Sequence, residues 1–210
     1  MMKLNAFLAT AALASVSAAP VQAALISDVS VIGNAMVVDF DQFDGFETSG
    51  PVSVGAGVTF SGTPSTLGAY VADLGSNGTW WGNFAATGDS DYTGFGVLHF
   101  TFDNAVTTTA GAFLNSYNGG PILVAAYNAA GTMIEAHFVT VDTDEYSWNE
   151  GSFFGISRSA AEIRSIAFGG VGLVADNLTF AAPVPEPGTY AMLLAGLGLV
   201  GFMTRRRAVR

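Results

Sequence analysis

The chain has 210 residues, 17 acidic and 7 basic side chains, a formal charge of −10, hydrophobic residues at half its positions and no cysteine. No disulfide can staple this fold, and a surface of predominantly negative sign repels phosphate, which argues against a nucleic-acid binder. The fold must therefore rest on a hydrophobic core.

The first segment, residues 1–23, reads as a secretory signal peptide. Lys3 supplies the positive start, Leu4 to Val16 the apolar stretch, and Val21-Gln22-Ala23 a small-x-small cleavage site with Ala24 following. Pro20 interrupts the stretch, which is too short to span a bilayer.

The body runs over residues 24–182, the size of one domain. Between Ala24 and Val184 there are 16 acidic residues against two basic ones, Arg158 and Arg164, a formal −14 with no lysine. Phe, Val, Thr and Gly dominate, and short apolar or alternating runs are separated by Gly, Asn, Asp or Pro, the pattern of an all-β sandwich. Strands are predicted at Ala35–Asp41, Gly57–Ser61, Ala69–Ala72, Gly96–Phe102, Thr109–Asn115, Ile122–Asn128, Met133–Val141, Phe153–Ser157, Ile163–Phe168 and Val174–Phe180. Asn128-Ala-Ala-Gly131 is a hairpin signal, since Asn and Gly tolerate the backbone of a tight turn. Ser159-Ala-Ala-Glu162 has capping-box spacing and predicts one helical turn. Alternation puts Leu98, Phe100 and Phe102 on an inward face and His99 and Thr101 outward; Ile163 to Phe168 reads as buried on both faces at its end.

Three groups could carry chemistry. Asp39-x-Asp41-x-x-Asp44 is the densest carboxylate set. On a strand Asp39 and Asp41 share a face, where like charges are costly unless a cation bridges them, and Ca²⁺ takes such oxygen ligands. The alternative is solvated edge charge. Asp142, Asp144, Glu145 and Glu150 surround Tyr146 and Trp148, and Asp89 and Asp91 precede Tyr92, with Trp80-Trp81 shortly before. Aromatic faces cover sugar C–H groups while carboxylates bond the hydroxyls, so Trp80, Tyr146 and Trp148 are candidate glycan contacts. On the bland alternative, Trp81 and Phe84 cap the core and the acids only solubilise loops. Glu145 and Glu150 could in principle serve a glycoside hydrolase, but no Gly-x-Ser-x-Gly elbow or His-Glu-x-x-His motif occurs. The reading is therefore non-catalytic.

The last segment, residues 183–210, starts at Val184-Pro185-Glu186-Pro187. Two prolines without backbone donors predict that no helix or sheet continues through this point. An uncharged run from Tyr190 to Met203 follows, about 21 Å long as a helix against a hydrocarbon core of ~30 Å. Arg205, Arg206, Arg207 and Arg210 close the chain, and the positive-inside bias keeps them cytoplasmic. The segment is thus expected to be a short transmembrane helix in the inner membrane.

This order of pieces resembles the PEP-CTERM sorting signal of Gram-negative bacteria. The resemblance implies processing by exosortase near Pro185-Glu186-Pro187, a transient inner-membrane anchor, and a final place on the cell surface or in the exopolysaccharide matrix of a biofilm. A second resemblance spans the body: Val38-Asp39-Phe40, Gly57-Val58-Thr59-Phe60, Phe154-Gly155-Ile156, Ile163-Arg-Ser-Ile166-Ala-Phe168 and Ala175-Asp176-Asn177-Leu178-Thr179-Phe180 are similar to jelly-roll domains found before such tails and to carbohydrate-binding modules. It implies a jelly-roll-like sandwich whose first and last strands pair, which would place Asp39 and Asp41 near Asp176 as a calcium set. The expectation is a non-catalytic, exported β-sandwich that binds glycan, with a secreted hydrolase or an inert matrix protein as alternatives.

Overall fold

The computed structural model describes residues 23–88, 94–185 and 197. The signal segment up to Gln22, the acids Asp89 and Asp91 with Tyr92, and the tail from Glu186, including Pro187, the apolar run apart from Leu197, and Arg205, Arg206 and Arg207, lie outside the described residues. No helix among the described residues is long and apolar enough to cross a membrane.

Among the described residues sixteen strands carry the fold: β1 Ala23–Ile26, β2 Ala35–Val38, β3 Phe46–Thr48, β4 Val52–Gly55, β5 Val58–Gly62, β6 Ser65–Asp73, β7 Thr79–Thr87, β8 Phe95–Phe102, β9 Ala105–Val106, β10 Thr109–Asn115, β11 Ile122–Tyr127, β12 Met133–Val139, β13 Ser152–Arg158, β14 Ser165–Val171, β15 Val174–Ala181 and β16 Val184–Pro185. They form two large antiparallel sheets. One has the order β1-β13-β10-β15-β7-β6-β3, with β2 also on β15; the other has the order β12-β11-β14-β8-β5-β4; β9 and β16 make a separate pair. The expected all-β sandwich is the fold observed.

The core lies between the sheets. Val58, Phe60, Leu98, Phe100, Phe102, Ile166 and Phe168 from the six-stranded sheet meet Leu67, Ala85, Ala110, Leu114, Ile156, Ala175, Leu178 and Phe180 from the eight-stranded one. Phe100 is a hub, with ring centroids 5.8 Å from Phe40, 5.6 Å from Phe60 and 6.3 Å from Phe168. His99, on the outward face as expected, shares a hydrogen bond with Ser165 Oγ at 2.7 Å. The Asn128 turn also forms: its side chain accepts from the Ala130 and Thr132 amides, and Gly131 sits at φ +74°.

Sheet order gives β15 an unusual position. β10 lies along one edge, while the other is divided: β7 pairs with Val174 and Ala175, and β2 pairs with Leu178 to Ala181. Asp176 and Asn177 fall at the division. The expected pairing of the Ala35 strand with the last long strand is present.

Several expectations need correction. β2 stops at Val38 rather than Asp41, because Phe40 adopts φ +61° and turns its ring fully into the core. Left-handed backbone at a bulky residue costs on the order of 1–2 kcal/mol, which burying a whole phenyl ring offsets. Asp39 and Asp41 are therefore in a turn, the Asp39 carboxylate accepting the Asp41 amide at 3.2 Å, and do not project from one face of a strand. Residues 159–162 form no helical turn; Glu162 reaches back to Arg158 Nε at 2.6 Å. Finally, a sheet does run into the proline motif: Val184 pairs with Val106 and Pro185 with Ala105. A two-residue edge pair tolerates proline because a missing N–H costs nothing where no partner faces it.

Candidate functional site

Part of the outer face of the eight-stranded sheet is apolar and buried. Ala85 and Ala175 point into the main core, so their neighbours Phe84, Ala86 and Val174 point outward, where they join Ala69, Ala72, Leu74 and Trp80 in a second buried cluster with Phe113 against it. The segment 142–151 covers this cluster. A Cβ at Gly151 would lie 2.6 Å from the Trp80 ring, so only glycine lets the backbone cross there.

That covering segment is fastened along the start of β7. The Thr79 amide donates to the Ser147 carbonyl and the Asn149 amide to the Thr79 carbonyl, each at 3.0 Å, and the Trp81 amide donates to Asn149 Oδ1. Beneath it lies a buried amide network. Asn77 Nδ2 donates to Asn115 Oδ1 and, at 3.0 Å, to the Val141 carbonyl; Asn115 Nδ2 donates to the Glu150 carbonyl at 2.7 Å. Thr143 closes it, its amide donating to Asn77 Oδ1 at 2.9 Å and its hydroxyl to the Asn77 carbonyl at 2.7 Å. Among the described residues no buried side-chain polar atom lacks a partner, so the network is complete and specifies one loop position.

The result is a ladder of exposed rings. Trp148, on the loop, stacks on Trp81 of β7 with centroids 5.4 Å apart and planes 12° apart. Tyr70 of β6 meets Trp81 edge-on at 5.6 Å. Tyr70 and Trp148 are each 66% exposed, Trp81 38% and the neighbouring Tyr146 80%. Asp73 at the end of β6 and Asp142, Asp144, Glu145 and Glu150 on the loop are exposed as well. Asp144 shapes the loop by accepting the Tyr146 amide at 2.9 Å. Chemically this is a row of apolar faces bordered by acceptors, able to cover C–H groups and bond hydroxyls.

Of the three aromatic candidates, Tyr146 and Trp148 are on this surface and Trp80 is not. Trp80 is 4% exposed and packs edge-on against Phe84 at 6.5 Å. The adjacent tryptophans have the opposite assignment from the expected one, with Trp80 in the outer-face cluster and Trp81 in solvent. Pairing of Ala72 with Trp80 and Val71 with Trp81 sets this parity. Trp81 and Tyr70 were missed; a Trp-Trp dipeptide on a strand turns its rings to opposite faces, but only the register says which face each takes.

The carboxylates Asp39, Asp41 and Asp176 do share a neighbourhood. Asp176 is pushed up from 3.8 to about 6, chiefly by burial, with the negative charges of Asp41 and Asp39 adding to the effect and hydrogen bonds from the Asn177 amide and the Trp80 side chain opposing it. However, no three His, Asp or Glu side chains among the described residues are grouped so as to hold a metal ion.

The class of protein is therefore an antiparallel β-sandwich that carries an exposed aromatic platform. Its C-terminal residues 183–207 match the PEP-CTERM protein-sorting motif, which marks an exported protein with a C-terminal sorting signal. No curated protein matches the sequence. Among solved structures, the chain is similar to a lysine-to-alanine variant of a family 29 carbohydrate-binding module, with TM-score 0.42 and 15% identity over 71% of this chain and 93% of that one. It is also similar to the family 29 module itself, with TM-score 0.37 and 15% identity over 70% and 88% of the two chains.

Proposed function

We propose that the body is a non-catalytic glycan-binding domain of an exported protein, which exosortase processes at the tail and which then acts on the cell surface or in the exopolysaccharide matrix. The observation that carries the binding role is the exposed ladder Tyr70–Trp81–Trp148, held by a fully bonded loop and bordered by carboxylates. Large exposed aromatic surface without a partner marks a binding site, and hydroxyl acceptors beside flat rings suit a sugar chain. Affinity electrophoresis through the host exopolysaccharide tests it. Trp81→Ala or Trp148→Ala is expected to weaken retardation about tenfold, equivalent to about 1.4 kcal/mol, with the melting midpoint little changed. Unchanged retardation in both variants would refute the role.

The secreted hydrolase is the competing reading. Incubation of the polysaccharide with excess protein is expected to release no reducing ends; release abolished in Glu145→Gln or Glu150→Gln would replace binding with hydrolysis. Calcium on Asp39, Asp41 and Asp176 stands as a separate proposal, supported by the negative charges of Asp41 and Asp39 beside Asp176 and opposed by the lack of a ligand-like grouping among the described residues. A melt with Ca²⁺ against one with EDTA decides it. A rise in midpoint that is lost in Asp39→Ala and Asp176→Ala establishes the ion, because a ligand held only by the native state must stabilise it; coincident melts dismiss it.

A further inference from the structure

The ring ladder sits among charges of one sign. β6, β7 and the segment 142–151 together carry Asp73, Asp142, Asp144, Glu145 and Glu150 and no lysine, arginine or histidine. All five carboxylates are exposed. Asp73 pairs with Thr79 two positions along from the Val71–Trp81 pair, so it shares the Trp81 side of the hairpin. The two arginines of the body are at the other end. β13 starts at Ser152, beside the loop, and reaches Arg158 after a rise of about 20 Å. There the guanidinium of Arg158 is bound by Glu135 at 3.1 Å and Glu162 at 2.6 Å. Arg164 is at that same end: its neighbour Ile163 pairs with Thr107, and the carbonyl of Thr108 accepts the Arg158 amide. Charges in physiological salt are screened over about 8 Å, so neither arginine offsets the carboxylates of the ladder.

The rings themselves indicate a chain and not a point ion. Trp148 and Trp81 stack with nearly parallel planes, which leaves no slot between them for an ion, and with Tyr70 they form a strip of two centroid steps, 5.4 and 5.6 Å. We propose that this surface selects a cationic glycan, a chain of amino sugars with free protonated amines, over neutral and acidic chains. Sugar C–H groups cover the rings, and each ammonium meets a ring face or a carboxylate; a chain of uronates meets its own sign of charge. The inference rests on the glycan-binding reading above and adds the charge of the ligand.

Glucosamine oligomers are titrated calorimetrically into the protein purified from its host, beside the same oligomers N-acetylated, oligogalacturonate and oligolysine. At low salt the glucosamine chain is expected to bind about tenfold or more tighter than its acetylated form, the gap closing as salt rises, with the uronate chain unbound. Trp81→Ala should weaken both glucosamine forms. Glu145→Gln with Glu150→Gln should weaken only the charged one, by about threefold or more; the loop keeps its position, because it is the Glu150 carbonyl that Asn115 bonds. Equal or tighter binding of the acetylated chain, or binding of the uronate, overturns the preference and leaves glycan binding standing. So does a glucosamine chain that fails to bind protein still retarded by the host exopolysaccharide. Oligolysine bound as tightly as the glucosamine chain and indifferent to Trp81→Ala means that charge alone is read, and overturns it too. Failure of every sugar chain together with the host exopolysaccharide removes the glycan-binding reading itself.

Discussion

Trp80 and Trp81 differ by one position and by everything that follows from it. Trp80 fills the cluster under the covering loop and is nearly inaccessible, while Trp81 lies between Tyr70 and Trp148 in solvent. Trp80→Ala should remove a large buried ring and cost about 3–5 kcal/mol in urea unfolding, whereas Trp81→Ala should cost under roughly 1 kcal/mol. Asp176 makes the second prediction at this scale. Its folded-state value, about 6, is raised above the ordinary 3.8. Its ionisation is thus disfavoured in the native state: there is no penalty below the ordinary value, and a penalty grows as pH rises through about 6. Asp176→Asn keeps an acceptor for the Asn177 amide and the Trp80 side chain. It should therefore raise stability at pH 7.5 by roughly 1–2 kcal/mol, after allowance for partial exposure, and leave it unchanged near pH 3.5. Melts at the two pH values measure the difference.

At the scale of elements, the decisive piece is a loop that behaves as a strand without being one. Segment 142–151 is tied to β7 by backbone bonds and to the Asn77–Asn115 pair from below. Asn115→Ala would leave the Ser116 amide and the Glu150 carbonyl without their partner, a cost of roughly 2–3 kcal/mol, and it should weaken glycan retardation as well by freeing Trp148. Hydrogen exchange of the 147–149 amides would report that release. All ten predicted strands exist, because alternation such as Leu98, Phe100, Phe102 is visible wherever one face is dry and the other wet. β7 was not legible for the opposite reason: from Phe84 to Thr87 both its faces are buried, and Gly82 and Asn83 interrupt what alternation remains. The platform was half legible. Tyr146 and Trp148 stood out as aromatics among acids in a loop, while Tyr70 and Trp81 depend on cross-strand register, which no local pattern encodes. The turn at Phe40 was hidden too, since its conformation is imposed by the cavity that the ring fills.

For the whole molecule, position in the sheet matters more than contact with any one residue. On the sorting role proposed above the body is held by its C-terminal end, and the long strand that leads there through β16, β15, is an interior one, flanked by β10 on one side and by β7 and β2 on the other. A pull on the tail is directed along that strand, across hydrogen bonds that run perpendicular to it. Those bonds bear the load together, as in shear, instead of opening one at a time as they would at a sheet edge such as β1. Under flow or drag, a domain tethered this way should lose its grip on whatever it holds before it unravels.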